Sequence, residues 1–536
     1  MSLLISKLTA HAEGYERMND LRRCKGDFFF LVSFLSLIFF LIGCAPPAGR
    51  EEEKTYPDEN SLLILNSWGT GVWENVPDGK YWFSYNAIKK IKPIVYVWGF
   101  ARNHPAARLK FKITHPIRDD VHITIRAVND TRSPIYQKEF LPLVFGLGVV
   151  CGFPNDEVYF DITDVVSYLD DTYKTIEIWV EDRFNNAITG TLHGLALELW
   201  PSQPYDPDNP EMVVYPDQGT VTNVPIGESG ALIYLFSNIR QNFSAMGLSP
   251  ASRTMLFTDV SPVKTDRPAA GRIEHMLARL TDPSKENYNK VYPGGYGTGL
   301  NPPTEEQQAR MRTSRNYIVG SNLRAGGSSS MDITTSRYFP PVGNQGRMGS
   351  CVSFNAGYYI QTYYSAHANN IDLSEVSWIP NAYQGAPSDP AVVLSPGFLY
   401  SMVNGGMDRG SSFEDNITIL ILMGVSSWST QPYIDAVNPM LWPSGAAFKE
   451  ALEYRSSVND KGAVNPLTFS WMFLETDQDI QTVKTLLDNG YPLLIGVDAN
   501  FYGTLSDNDI WYEDALDVNA WGANHANTVV GYHEGD

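Results

Sequence analysis

The sequence predicts an α+β protein in which helices and strands occupy separate stretches and an all-β domain interrupts the chain. Three observations carry that expectation. Between about Ile94 and Leu199, short runs alternate apolar and polar residues, as in Leu109-Lys110-Phe111-Lys112-Ile113, Val121-His122-Ile123-Thr124-Ile125 and Thr175-Ile176-Glu177-Ile178-Trp179-Val180. Gly, Pro, Asn and Asp separate them at strand-length spacing. After Cys351 the apolar pattern Val352-Ser353-Phe354-Asn355-Ala356-Gly357-Tyr358-Tyr359 suits a buried helix. Strand-like runs stand near both ends, Leu62-Leu63-Ile64-Leu65 and His525-Ala526-Asn527-Thr528-Val529-Val530-Gly531-Tyr532. With 536 residues, 43% of them hydrophobic, the chain can fill about two to four cores. Forty basic against sixty acidic residues give a net charge of −20. Without clustered Lys and Arg there is little counterion release to gain, so nucleic acid is excluded as a partner.

Residues 1–43 read as a secretory signal. Arg22, Arg23 and Lys25 precede an apolar run from Phe28 to Ile42, which at about 15 residues is short for a membrane span. Its end, Leu41-Ile42-Gly43-Cys44, resembles the bacterial lipobox. That resemblance implies lipidation of Cys44 and a membrane anchor at the bacterial outer membrane or cell surface, facing periplasm or exterior. An uncleaved anchor helix is the plainer alternative. Residues 44–60, rich in Pro and Glu, are expected to form a disordered tether.

Residues 61–92 carry two strand-like runs, Leu62–Asn66 and Asp78–Tyr85. Residues 93–200 read as a β-sandwich, with Phe160–Val166 as a strand leading into a turn. Residues 201–330 read as a linker or propeptide-like region. A short helical pattern at Ala270–Leu280 lies among Pro, Asp, Gly and Ser clusters, and Gly326-Gly327-Ser328-Ser329-Ser330 closes the stretch. Residues 331–536 hold the chemistry. Of the four cysteines, Cys24 leaves with the signal, Cys44 takes lipid, and Cys151 is read as a buried thiol. No metal-ligand spacing or disulfide framework occurs, so neither metal nor cofactor is expected.

Cys351 begins the buried helix pattern, where the macrodipole favours a thiolate. Gln345, six residues earlier (351 minus 345), can offer an amide proton to a developing oxyanion beside the Cys351 N–H. A lone cysteine near a helix is ordinarily a packed core thiol, and a lone histidine before a strand is ordinarily structural. The surroundings reverse both readings. Gln345-Gly346-Arg347-Met348-Gly349-Ser350-Cys351, Asn524-His525-Ala526 and Asn66-Ser67-Trp68-Gly69 together resemble the catalytic blocks of papain-like cysteine peptidases.

The resemblance covers about 240 residues, some 60–90 and 330–536, and implies a two-lobed fold with a helical lobe and a β-barrel-like lobe. It implies Cys351 as nucleophile, His525 as its base and acid, Asn66 as the group orienting His525, and Gln345 in the oxyanion hole. It implies a substrate cleft walled by Gly405, Gly406, Gly410, Ser411, Asn524 and Trp68, taking protein or peptide substrates. The β-sandwich is similar to lectin-like jelly rolls accompanying such peptidases, which implies a glycan ligand; a spacer role is as well founded.

The order of the blocks departs from the family. Asn66 lies at the N-terminal end, where the family's asparagine follows its histidine, and 11 residues (536 minus 525) follow His525. A circular permutation accounts for this, as do exchange of strands between two chains and a rearranged gene. Met348 and Val352 replace a disulfide cysteine and a tryptophan common in the family, and neither supplies a reacting atom. The expected function is a cysteine endopeptidase acting through an acyl-enzyme. An inactive adhesin or carbohydrate-binding protein on the same scaffold, and a transpeptidase, are the rivals.

Overall fold

The computed structural model describes residues 59–71, 78–100, 104–140, 152–153, 156–182, 187–200, 205–227, 231–237, 239, 291–292, 296–313, 328–381, 384–404, 408, 410–433, 442–457 and 469–535. The signal, most of the tether, Cys24, Cys44, Cys151, Ala270–Leu280, Gly405 and Gly406 lie outside the described residues. The architecture mixes several sheets with helices.

The largest sheet has eight strands and gathers residues from both ends of the chain. In spatial order it runs Ser470–Phe473, Ile94–Val97, Leu493–Val497, His525–His533, Ser61–Leu65, Lys80–Ser84 and Ile510–Trp511, with Ser330–Asp332 also on the His525 strand. The strands of residues 61–65 and 525–533 pair antiparallel within the one chain, from Ser61 opposite His533 to Leu65 opposite Thr528. Leu62, Ile64, Leu65, Leu493, Leu494, Ile495, Val529 and Val530 are fully buried, so the central strands read as continuous apolar runs. Ile94–Val97, expected at the start of the sandwich, instead bridges two strands of this sheet.

A helix beginning at Cys351 packs against the sheet. It runs through Phe354–Gln361 as a wider π-helix and ends at Asn369, and Cys351 through Ala366 are buried throughout. Shorter helices start where the sequence supplies caps. Ser395 precedes Pro396–Val403, Ser412 precedes Phe413–Leu422, and Ser444 precedes Gly445–Ala451, each side-chain oxygen accepting from a first-turn N–H.

The all-β region forms two antiparallel layers. One pairs Met212–Val214, Gly190–Leu199, Ala107–Thr114 and Glu157–Asp161, with Val224–Ile226 also on Gly190–Leu199; the other pairs Leu232–Phe236, Tyr173–Asp182, Val121–Asn129 and Pro134–Phe140. Phe140 of the second layer packs its ring on Phe111 and Phe160 of the first, at 5.1 and 5.2 Å. Two details differ from the sequence reading. A helix, Thr163–Ser167, follows Asp161 in place of a turn, and the layers take up Met212–Val214, Val224–Ile226 and Leu232–Phe236 from the stretch expected to be linker. The β region rests on the helices through an Arg455–Asp161 ion pair, the Gly445 N–H to Asp156 (2.6 Å) and Arg118 stacked over Trp442 (4.7 Å).

Candidate active site

The helix start at Cys351 meets the first residues of the His525 strand. The Ala526 N–H points at Cys351 Sγ, 3.4 Å away. Asn355, one helical turn after the cysteine, donates from Nδ2 to both Cys351 O and Ala526 O at 2.8 Å, and its Oδ1 accepts from Thr528 Oγ1 at 2.8 Å. One amide side chain therefore ties the thiol's helix to the histidine's strand.

Asn66 arrives from the adjacent strand. Its Oδ1 lies 3.0 Å from His525 Nε2, and both side chains are fully buried. An amide oxygen can only accept, so Nε2 carries the proton and Nδ1 keeps a lone pair. That Nδ1 has no hydrogen-bond partner among the described residues. Trp68 lies against the imidazole, ring centroids 4.7 Å apart, and shields the Asn66 bond from water.

Gln345 is oriented by a residue the sequence reading quoted but did not use. Ser67 Oγ donates to Gln345 Oε1 at 2.5 Å, which turns Nε2 the other way, toward Gly297 O (3.0 Å) and Met348 O (2.8 Å). The Gln345 N–H also donates to Ser67 O at 2.8 Å. Tyr433 OH donates to Gln345 O at 2.5 Å and lies 2.6 Å from Ser350 Oγ, and Asp408 accepts the Gly349 N–H at 2.8 Å. Ser67, Asn355, Tyr433 and Asp408 thus brace the loop and strand that carry the expected reacting groups. Asn355 left a trace of its own in the sequence, a polar residue one turn along an otherwise apolar helix.

The expected cleft residues face a stretch of the chain itself, Tyr296–Asn301. Asn524 O accepts from the Gly299 and Leu300 N–H groups at 3.2 and 3.1 Å. Ser411 donates its N–H to Gly299 O at 2.8 Å and accepts from the Asn301 N–H at 3.0 Å, with Leu300 running parallel beside it. Trp68 donates from Nε1 to Gly297 O at 3.0 Å and stacks on Tyr296 at 5.4 Å. Gly410 lies so close that a Cβ there would sit 2.2 Å from Gly299 O.

Burial changes the expected charge state. With Cys351 and His525 both sealed from solvent, desolvation pushes the thiol up to about 12, against hydrogen bonds from backbone N–H groups that lower it. Desolvation also holds the imidazole down to about 3. The thiolate expected at the helix start is therefore disfavoured in this closed arrangement, where burial favours a neutral thiol beside a neutral ring.

The chain matches no protein family and no curated protein. Among solved structures it is similar to the crystal structure of xylellain, a cysteine protease from Xylella fastidiosa, at 18% identity and a TM-score of 0.30, covering 45% of this chain and 81% of that one. At that identity and TM-score the likeness fixes neither fold nor function.

Proposed function

We propose that the chain is a cysteine endopeptidase of papain-like type whose asparagine block has been moved to the N-terminal side by circular permutation. The observation that carries this is the 3.0 Å contact between Asn66 Oδ1 and His525 Nε2, made between strands from opposite ends of the chain, with the Cys351 thiol held beside the same His525 strand. Residues 61–65 pair with 525–533 inside one chain, as a permutation requires.

In the proposed reaction His525 Nδ1 takes the Cys351 thiol proton, and the thiolate attacks the scissile carbonyl carbon. The carbonyl oxygen becomes an oxyanion, held by Gln345 Nε2 and the Cys351 N–H. The imidazolium gives its proton to the leaving amine as the C–N bond breaks, leaving a thioester on Cys351. Water then loses a proton to His525 and attacks the thioester, releasing the acid and restoring the thiol. Asn66 keeps the ring turned so that Nδ1 faces the chemistry. Cys44 is proposed as the lipid anchor, with a two-acyl mass increment on the mature N-terminus as its check.

Peptide cleavage followed by mass spectrometry tests the reading. Cys351→Ser is expected to abolish turnover. Asn66→Ala is expected to lower kcat/KM about fivefold, the factor set by losing one hydrogen bond worth ~1 kcal/mol. No turnover even after the cleft is opened overturns it in favour of a binding scaffold.

A further inference from the structure

The stretch Tyr296–Asn301, a two-residue strand at Tyr296–Gly297 followed by a bridge at Leu300, lies against the loop Gly346–Gly349 that leads into Cys351. It engages several groups that a bound peptide would use: Gln345 Nε2 and Trp68 Nε1 on Gly297 O, Asn524 O on two N–H groups, and both backbone groups of Ser411. The Gly297 N–H donates to Gly346 O at 3.0 Å as well. Gly297, Thr298, Gly299 and Leu300 are all buried.

Two of these residues are glycine for a steric reason. A Cβ on Gly297 would sit 2.3 Å from Arg347 O and 2.5 Å from Met348 O, and one on Gly299 would sit 1.9 Å from Gly349 O. These are backbone atoms of the loop leading into Cys351 and cannot swing aside like a side chain. Gly299 also has φ +156°, at the edge of the range L side chains rarely adopt. Between them, Thr298 Oγ1 is buried without a hydrogen-bond partner among the described residues. A buried orphan hydroxyl is unfavourable, and water would satisfy it on release. The segment is held tightly by its backbone yet carries a built-in penalty.

We infer that the cleft beside Cys351 is gauged for an extended Gly-x-Gly peptide, and that Tyr296–Asn301 is its resident occupant, which shuts the site until it leaves. The substrate half of this inference rests on the peptidase reading; the occupancy half does not. Peptides with glycine at two alternate positions are the substrate class that such walls admit. Release of the segment also rehydrates Cys351 and His525, the condition under which a thiolate and an imidazolium can form together.

The test follows iodoacetamide labelling of Cys351 by mass spectrometry, in the full chain, with folding checked by thermal melting. Gly299→Val expels the segment by collision with Gly349. Leu300→Asp expels it by a separate route, since Leu300 is 1% exposed and packs against Gly496. Both are expected to label about tenfold faster or more than the unaltered protein, the factor given by about 1.4 kcal/mol of lost segment binding. A synthetic hexapeptide of the 296–301 sequence should slow labelling of the variants again, and its Gly297→Ala, Gly299→Ala version should not. Two folded variants labelling at the unaltered rate would overturn the inference. Equal protection by the alanine hexapeptide would overturn the glycine gauge. Fast labelling without cleavage of any peptide would sink the peptidase reading while supporting the occupied cleft.

Discussion

Asn355 shows how much of the site is held by a residue that takes no part in the chemistry. Its three hydrogen bonds join Cys351 O, Ala526 O and Thr528 Oγ1, all buried. Removing the side chain deletes three buried hydrogen bonds, each worth roughly 0.5–1.5 kcal/mol net. Asn355→Ala is expected to lose about 2–4 kcal/mol in urea unfolding, with the midpoint falling and the m-value unchanged. Asn66, Gln345, Cys351 and His525 were legible because each lies in a short block of characteristic residues. Ser67 lies inside one of those blocks, yet its grip on Gln345 needed the 2.5 Å contact to become visible. Tyr433 read only as part of a turn, Gln431-Pro432-Tyr433, and Asp408 gave no sequence signal, because a single aspartate in a loop has many equivalent explanations.

At the level of elements, local chemistry specified most starts and stops. The strand Ser61–Leu65 and the strand His525–His533 coincide with apolar runs, and the helix Pro396–Val403 follows its Ser395 cap and first-turn proline. The helix Asp477–Asp488 begins with a capping box, Thr476 Oγ1 accepting from the Asp479 N–H (3.2 Å) while Asp479 Oδ2 accepts from the Thr476 N–H (2.9 Å). Thr476→Ala should cost about 1 kcal/mol, read as a lowered melting temperature. Where the sequence misled, tertiary contacts had decided. Residues 163–167 close into one helical turn with Val165 and Val166 buried and the Thr163 N–H on Asp161, a pattern too short to announce a helix. The π-helix Phe354–Gln361 likewise has no periodicity of its own; it accommodates eight buried residues between the Cys351 turn and the rest of the helix.

The whole molecule makes its stability depend on pH through the pair it buries. His525 is held down to about 3, whereas an unfolded histidine titrates near 6.5. Between those values the unfolded chain binds the extra proton, so stability is full above about pH 6.5 and falls as pH drops toward 3. Cys351 is pushed up to about 12 from its ordinary 9.0, so the unfolded chain releases a proton that the folded chain keeps, and stability falls as pH rises from about 9. Asp509, pushed up to about 7 by desolvation and then by Asp78, works against the histidine on the acid side, but it is partly exposed and screened. Melting temperature is therefore expected to peak between about pH 6.5 and 9. Cys351→Ser should flatten the alkaline limb and His525→Gln the acid one.

The sequence by itself marked the candidate reacting residues, which runs become strands, and that the asparagine block stands far along the chain from its partners. Those are properties of neighbours along the chain: side-chain reactivity, apolar periodicity and caps. Only the tertiary structure decided the register in which residues 61–65 and 525–533 lie side by side, that Ile94–Val97 joins the large sheet, and that Tyr296–Asn301 lies against the loop before Cys351. Strand partnership is set by which apolar faces can be buried together, and a stretch of Gly, Thr and Tyr carries no period that says where it will lie. Its place is set by backbone groups and by the absence of two Cβ atoms, neither of which can be read until the walls around it are known.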